Sequence, residues 1–152
     1  MDELDRQIIT ELQMDFPICS DPYGIIAARL GLDVDILLER VQALIGSGMI
    51  RRIGISVDSR KMGYSSTLAA VKVADDRVER ASEVIDSYPE ITHSYLRADE
   101  FNIWFTVIAI DQQRIQEVLD ELRIKLNLEV SDVLDLPVLK LFKLDARFKP
   151  TK

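Results

Sequence analysis

The chain has 152 residues, of which 47% are hydrophobic and 30% are charged, and its net charge is −7. This length can bury one core or two small ones, and a single cysteine, Cys19, excludes an internal disulfide and a cysteine-based zinc site. The negative charge opposes non-specific attraction to DNA phosphates. The charged start and the lack of an apolar run of roughly 18 residues predict a cytoplasmic protein without a membrane helix.

Residues 1–60 predict three helices and a short β-wing. Apolar residues recur at helical spacing in residues 2–14, where acidic residues suit the N-terminal end of a helix. A proline begins the second helix, Gly31 ends it, and a third helix with an apolar stripe starts near Asp33. The stretch MIRRIGISVD then alternates like a small wing. This order predicts a winged helix-turn-helix domain.

Residues 61–152 predict a ferredoxin-like domain, so the fold class is α+β. The expected elements are a strand at 66–74, a helix at 76–87, strands at 91–97 and 101–110, a helix at 111–127 and a last strand inside 130–148. This βαββαβ order places both helices on one face of an antiparallel sheet. The other face therefore needs a partner or a ligand, and we expect the chain to dimerise through it.

The predicted hairpin over residues 91–110 holds the only histidine and the only tryptophan of the chain. Because side chains alternate along a strand, one face of its first strand carries Ile91, His93, Tyr95 and Arg97. The apolar alternation from Phe101 to Val107 suits the face that the helices cover. Pairing Arg97 with Asn102 then brings together, on the uncovered face, His93, Tyr95, Arg97, Asn102, Trp104 and Thr106.

The stretch LDRQIITELQMDFPICSDPYGIIAARLGLDVDILLERVQALIGSGMIRRIGISVD resembles the feast/famine (leucine-responsive) transcription regulators, and the βαββαβ part is similar to their ligand-sensing and dimerising domain. One hypothesis is thus a DNA-binding regulator that senses a small effector. However, Asp33, Asp35 and Glu39 occupy the part of the recognition helix that would approach phosphates. Residues 1–60 contain 6 Arg and 10 Asp or Glu, a net charge of −4, so we expect DNA binding to be weak or absent.

A narrower resemblance combines THSYLRADEFNIWFTV in the hairpin with LKLFKLDARF near the C-terminus. Together these motifs resemble siroheme decarboxylase, a relative of the same regulators. The resemblance implies a carboxy-lyase of the alternative haem pathway, which removes the acetate carboxylates at ring positions 12 and 18 of siroheme and gives 12,18-didecarboxysiroheme. Siroheme is then the substrate, and no organic cofactor is required.

The resemblance also implies an assembly of two homologous subunits. Family members usually show further histidines, so the single His93 indicates a site that a sister subunit completes, which favours a heterodimer, with a homodimer as the alternative. A third hypothesis is a subunit that binds haem and regulates without catalysis of its own.

The residues of the uncovered face suit a flat, anionic macrocycle. A histidine titrates near neutrality, so His93 is the candidate general acid, with Tyr95 as a second proton donor or an orienting group. Imidazole also suits iron, so His93 as a ligand of the siroheme iron is the alternative, and no other metal site is predicted. Trp104 offers a stacking surface, and Arg97 can hold a carboxylate through two hydrogen bonds.

Further basic residues extend the candidate site beyond the hairpin. On the last strand, Lys143 and Arg147 alternate with Phe142, Leu144, Ala146 and Phe148. Arg51 and Arg52, at the start of the wing, would contribute if the first domain folds against the sheet. The predicted substrate-binding residues are therefore Arg97, Asn102, Trp104, Lys143, Arg147, Arg51 and Arg52.

Overall fold

The computed structural model describes residues 1–145, 147–148 and 150. Contacts divide the chain into two units: residues 1–56 with the described residues from 143 onward, and residues 57–142. No helix within these described ranges has both the length and the apolar content that crossing a bilayer requires.

The first unit contains the three helices that the sequence predicts. They are α1 (Glu3–Met14), α2 (Pro22–Leu30) and α3 (Val34–Gly46). Each begins at an aspartate, Asp2, Asp21 or Asp33, whose carboxylate accepts a backbone N–H of the first turn. Gly31 ends α2 with a φ of 66°, a left-handed conformation that favours glycine. The buried core of this unit consists of Ile8, Ile9, Ile26, Ala27, Leu37, Val41 and Leu44.

The predicted β-wing is wrong. Residues 51–58, all of them described, contain no strand and are exposed, although their sequence alternates. Alternation shows only that a segment could pair, and a two-stranded ribbon is marginal in water without a surface to cover. The first strand of the chain begins at Ser65.

The second unit confirms the βαββαβ order. Its elements are β1 (Ser65–Val71), α4 (Val78–Asp86), β2 (Ile91–Leu96), β3 (Ile103–Ala109), α5 (Gln112–Lys125) and β4 (Val133–Pro137). Within the described residues the sheet has the order β2-β3-β1-β4, and every neighbouring pair is antiparallel. This arrangement is the ferredoxin-like fold.

Both helices of the second unit pack on one face of its sheet. The core between the two layers includes Ile85 of α4, Phe105 of β3, and Ile115 and Leu122 of α5, all fully buried. Along β3 buried and half-buried residues alternate strictly. The opposite face therefore carries a second set of side chains that α4 and α5 leave uncovered.

The last strand lies inside the predicted range but ends much earlier than the alternating motif suggested. Beyond Pro137 the described residues have no regular structure, and Leu139 and Phe142 are 96% and 86% exposed. Strand β4 pairs only with β1, where Pro137 already lies opposite Thr67. Because β1 begins at Ser65, it offers no backbone to residues 140–148. The prediction of a strand through 142–148 is wrong for the described residues, and Ala146 lies outside them.

Candidate functional site

The uncovered face of the sheet is organised in two rows that cross all four strands. We define the open face by these rows. The first row is Tyr95, Trp104, Ala70 and Leu134, and the second is His93, Thr106, Leu68 and Leu136. The Arg97 N–H also donates to the Asn102 carbonyl at 2.8 Å. The register that the sequence predicts for this hairpin is therefore confirmed from His93 to Arg97.

A β-bulge beside Thr92 changes which side chains share a face. The register between β2 and β3 shifts between Ile91 and His93, so Ile91 packs against the core. The prediction that Ile91 shares the face of His93 is wrong, because the extra residue of a bulge reverses the alternation. Ser94 lies on the helical side, where its hydroxyl donates to Asp86 at 2.6 Å.

The two candidate proton donors are adjacent on the open face. The rings of His93 and Tyr95 stack with centroids 6.4 Å apart and an interplanar angle of 16°. The Thr92 hydroxyl oxygen lies 3.0 Å from His93 Nδ1. Both rings are exposed. The structure therefore brings His93 and Tyr95 together, as predicted, and adds a hydroxyl that can orient the imidazole.

Trp104 is held in place beside a guanidinium group. Its indole N–H donates to the Phe101 carbonyl at 2.7 Å, and the Arg97 guanidinium carbon lies 5.7 Å from the centre of its ring. A shallow depression of about 580 Å³ lies here, and its lining consists of Leu68, Arg97, Ala98, Asp99 and Trp104. A fixed aromatic ring next to a cation suits a flat ligand with carboxylate arms.

The side-chain amide of Asn102 is not available to a ligand on the open face. Its side chain is 7% exposed, its Oδ1 accepts the Val73 N–H at 3.1 Å, and its Nδ2 donates to the Val73 carbonyl at 2.8 Å. The prediction that it faces a ligand from the exposed side is wrong. We assign its amide to holding the end of the sheet together, since a buried amide requires such partners.

Lys72 is a functional candidate that the sequence reasoning missed. It follows β1, in alternation with Leu68 and Ala70, and its ammonium lies 2.6 Å from Glu100 Oε1. Hydrogen bonding to Glu100 raises the pKa of Lys72. The period-two pattern of β1 placed this cation on the face of Trp104, but the predicted site took no residue from β1 or the position that follows it.

Four predicted substrate-binding residues belong to the first unit rather than to the sheet. Arg51, Arg52 and Lys143 are exposed there, and Arg147 pairs with Asp145 at 2.8 Å. This hydrogen bond from Arg147 lowers the pKa of Asp145 from 3.8 to about 2. A contact between these four residues and a ligand on the open face stays a prediction.

Among the described residues, no group of three or more His, Cys, Asp or Glu side chains could hold a metal ion.

Both parts of the chain match known families. Residues 61–143 match a family described as the AsnC-like ligand binding domain, and residues 5–51 match one described as the siroheme decarboxylase NirDL-like HTH domain. The siroheme decarboxylase alpha subunit of Desulfovibrio desulfuricans is 38% identical over 149 residues, which is 98% of this chain and 84% of that protein. This chain belongs to the siroheme decarboxylase subunit family. The decarboxylases of this family are carboxy-lyases, and both resemblances seen in the sequence are confirmed.

Solved structures of the family share the fold. The crystal structure of the siroheme decarboxylase NirDL is 28% identical, with a TM-score of 0.72, and the match covers 92% of this chain and 45% of that chain. NirDL in complex with an iron-uroporphyrin III analogue is 26% identical, with a TM-score of 0.71, and covers 96% of this chain and 48% of that one. This chain therefore corresponds to about half of the NirDL chain.

Proposed function

We propose that this chain is a subunit of a siroheme decarboxylase that removes the acetate carboxylates at ring positions 12 and 18 of siroheme and forms 12,18-didecarboxysiroheme. The observation that carries the proposal is the group formed by His93, Tyr95, Arg97 and Trp104 on the open face of a sheet. A family relative forms a complex with an analogue of iron-uroporphyrin III, which is also a flat tetrapyrrole with carboxylate arms. Siroheme is the substrate, and its iron arrives with it.

The shape of the open face supports a macrocyclic ligand. Four strands spaced by about 4.8 Å span roughly 14 Å, and two rows are separated by about 7 Å along each strand. Aromatic and cationic groups lie on β2 and β3, which suits stacking and the binding of carboxylates. Aliphatic Leu68, Leu134 and Leu136 lie on β1 and β4, which suits an apolar cover.

The chemistry needs one proton for each carboxylate. The bond between the methylene carbon and the carboxylate carbon breaks, carbon dioxide leaves, and the electron pair passes into the protonated, conjugated ring. The electron pair then returns to the methylene carbon as a proton is delivered there, which gives a methyl group, and the ring releases the proton that it had taken up. We assign this delivery to His93, with the Tyr95 hydroxyl as the second donor in reach of the same surface. Arg97 holds another carboxylate and keeps the reacting arm near the acid.

A homologous subunit completes the site in this proposal. Leu68 and Leu136 are 41% and 43% exposed in the single chain, and apolar side chains grouped on one face mark an interaction surface. The match to about half of the NirDL chain supports a working unit that contains more than one region of this length. The chain has one histidine, so the partner is the source of any further imidazole.

Mass spectrometry of siroheme incubated with the protein tests the proposal. The chain is purified alone and after co-expression with a homologous subunit, and each preparation receives siroheme under anaerobic conditions. We expect the co-expressed pair to remove two carboxylates, with a mass loss of two carbon dioxide molecules. Preparations that bind no tetrapyrrole and leave the mass of siroheme unchanged would contradict the proposal.

A further inference from the structure

A second cation lies at the end of the open face, on the other side of β3 from Arg97. Arg97 pairs with Asn102. Lys72 comes two residues after Ala70, which lies opposite Trp104, so Lys72 falls at the level of the same Asn102. The two cations thus flank β3, on β2 and on β1. Two strand spacings, about 10 Å, separate their backbone positions.

The carboxylate that pairs with Lys72 comes from a loop, whereas Lys72 itself extends a strand. The Lys72 N–H donates to the Asp132 carbonyl at 2.9 Å, which fixes its backbone to the segment before β4. Glu100 lies in the connection between β2 and β3, and its N–H donates to the Asp99 carboxylate at 2.6 Å. The side chains of Lys72 and Glu100 are 46% and 64% exposed.

We propose that Lys72 is a second carboxylate-binding residue of the site. Glu100 pairs with the Lys72 ammonium in the free protein, and a carboxylate of the ligand replaces Glu100 when the ligand binds. This inference rests on the proposed function, because the ligand is the same tetrapyrrole. Lys72 and Arg97 then bind two different arms of one macrocycle that stacks on Trp104. The pair of cations selects for rings that carry carboxylates at both ends of that span.

The strength of the existing ion pair permits the exchange. An exposed pair of this kind changes an equilibrium constant by less than about fivefold, because water screens both charges. A carboxylate on a ring already stacked at Trp104 reaches Lys72 at a high effective concentration, which the free ligand lacks. Lys72 remains protonated at neutral pH in either state, because pairing raises its pKa.

Titration of the subunit pair with iron uroporphyrin III tests the inference through binding alone. The ligand absorbance is followed for the unchanged protein, Lys72→Met, Glu100→Gln and the double variant. We expect Lys72→Met to weaken binding roughly tenfold or more, since a charge-assisted contact is lost. Glu100→Gln should tighten binding by up to about fivefold, because the competing carboxylate is gone. In the double variant the tightening should disappear, because Glu100 acts only through Lys72.

Matched controls separate this exchange from a change of net charge. Lys61→Met and Glu83→Gln make the same charge changes at other exposed positions, and we expect neither to alter the affinity by more than about twofold. Iron coproporphyrin, which lacks the acetate arms, should be less sensitive to Lys72→Met if Lys72 binds an acetate and equally sensitive if it binds a propionate. Either result retains Lys72 as a carboxylate contact.

Three results would overturn the inference. Unchanged affinity in both Lys72→Met and Glu100→Gln, with normal binding by the unchanged protein, removes Lys72 from the site and leaves the proposed function intact. Weaker binding by Glu100→Gln removes the role of Glu100 as a competitor. Failure of the unchanged subunit pair to bind either iron porphyrin contradicts the proposed function and this inference together.

Discussion

The Thr92 hydroxyl oxygen lies 3.0 Å from Nδ1 of His93, at the bulge where β2 changes its register against β3. The contact between the Thr92 hydroxyl and Nδ1 favours one orientation of the His93 ring. Among the described residues, Nε2 of His93 has no hydrogen-bond partner, and it is therefore the nitrogen that can serve a ligand. The bulge thus contributes to the site by placing Thr92 and His93 in contact.

Replacement of His93 by alanine tests its role in proton delivery. If His93 donates the proton in the rate-limiting step, His93→Ala should lower turnover by on the order of 10² to 10⁴ while siroheme still binds. Tyr95→Phe keeps the stacking ring and removes only the hydroxyl. If Tyr95 only orients the reacting groups, we expect a smaller loss of turnover than in His93→Ala. Turnover by mass spectrometry and binding by absorbance are measured in parallel.

The visible spectrum of bound siroheme distinguishes two roles for His93. A general acid leaves the iron spectrum unchanged in His93→Ala, whereas loss of an iron ligand shifts it. A spectral shift would make His93 a ligand and move the acid to Tyr95 or to the partner. Unchanged turnover together with an unchanged spectrum would remove His93 from the proposed site.

Arg97→Ala separates binding from chemistry. Loss of a charge-assisted carboxylate contact should weaken siroheme binding roughly tenfold to a hundredfold. Turnover at saturating siroheme should stay within about threefold unless Arg97 holds the reacting carboxylate. Arg80→Ala, at an exposed position of α4, removes the same charge and should leave affinity unchanged. Equal effects of the two variants would show that only net charge matters.

The helices, the order of helices and strands along the chain, and the hairpin register could be predicted from sequence because each depends on local patterns. Aspartates at helix starts, 3.6-residue stripes and the alternation of β3 all carry over directly, and the pairing of Tyr95 with Trp104 follows from them. The bulge at Thr92 could not be predicted, because an extra residue in a strand leaves no mark in composition. Ile91, which precedes the bulge, lies on the core side as a result.

The other errors arose where the outcome depends on distant partners. The alternating residues of 49–58 and of 142–148 would each need a partner strand, and for 142–148 the strand β1 is too short to provide one. Asn102 has the polar character of a binding residue, but the unpaired backbone of Val73 takes up its amide. Lys72 was missed for the same reason, because its position beside Trp104 and Glu100 depends on strands that are far apart in sequence.

The first unit should not bind DNA with high affinity. Arg40 lies on α3, the helix that would enter the groove, but its guanidinium pairs at 2.7 Å with Asp2, which caps α1, and at 2.8 Å with Asp5 of α1. Asp33 and Asp35 at the start of α3 add repulsion of phosphates. In gel retardation at physiological salt, we expect no sequence-selective retention of the gene's own upstream DNA below micromolar protein. Specific DNA-binding proteins usually have dissociation constants of about 10⁻⁸ to 10⁻¹¹ M. Sequence-selective binding in that range would support a transcription regulator instead.

Arg114 should control the acid stability of the second unit. Its guanidinium contacts Glu90, Glu117 and Glu121 at 2.8, 3.4 and 2.9 Å. Hydrogen bonds from Arg114 and from Tyr88 lower the pKa of Glu121 below its ordinary 4.5. The ionised Glu121 carboxylate therefore contributes its full stabilisation above pH 4.5. This contribution is lost as the pH falls through the lowered pKa of Glu121. Arg114→Met should reduce the urea midpoint at pH 7 and flatten its decline between pH 5 and pH 3.

A neighbouring arginine serves as the control for that experiment. Arg123 lies on the same helix and pairs at 3.6 Å with the exposed Asp120, so Arg123→Met should leave the urea midpoint nearly unchanged. Glu90 Oε2 is buried and has no hydrogen-bond partner among the described residues, which makes Glu90 sensitive to loss of Arg114. Equal midpoints for the two variants at pH 7 would contradict a special role for Arg114.

Association through the open face should depend on Leu68. Leu68 lies at the centre of its row, between Thr106 and Leu136, and a charge placed there would be buried by a partner without compensation. Leu68→Asp should raise the dissociation constant of the subunit pair by at least roughly tenfold, since central apolar contacts dominate interface energies. Ile124→Asp makes the same change at an exposed position of α5 and should have little effect. Light scattering at micromolar concentration measures the association of both variants. The interface would be ruled out if the unchanged protein were a well-folded monomer, with or without the homologous chain.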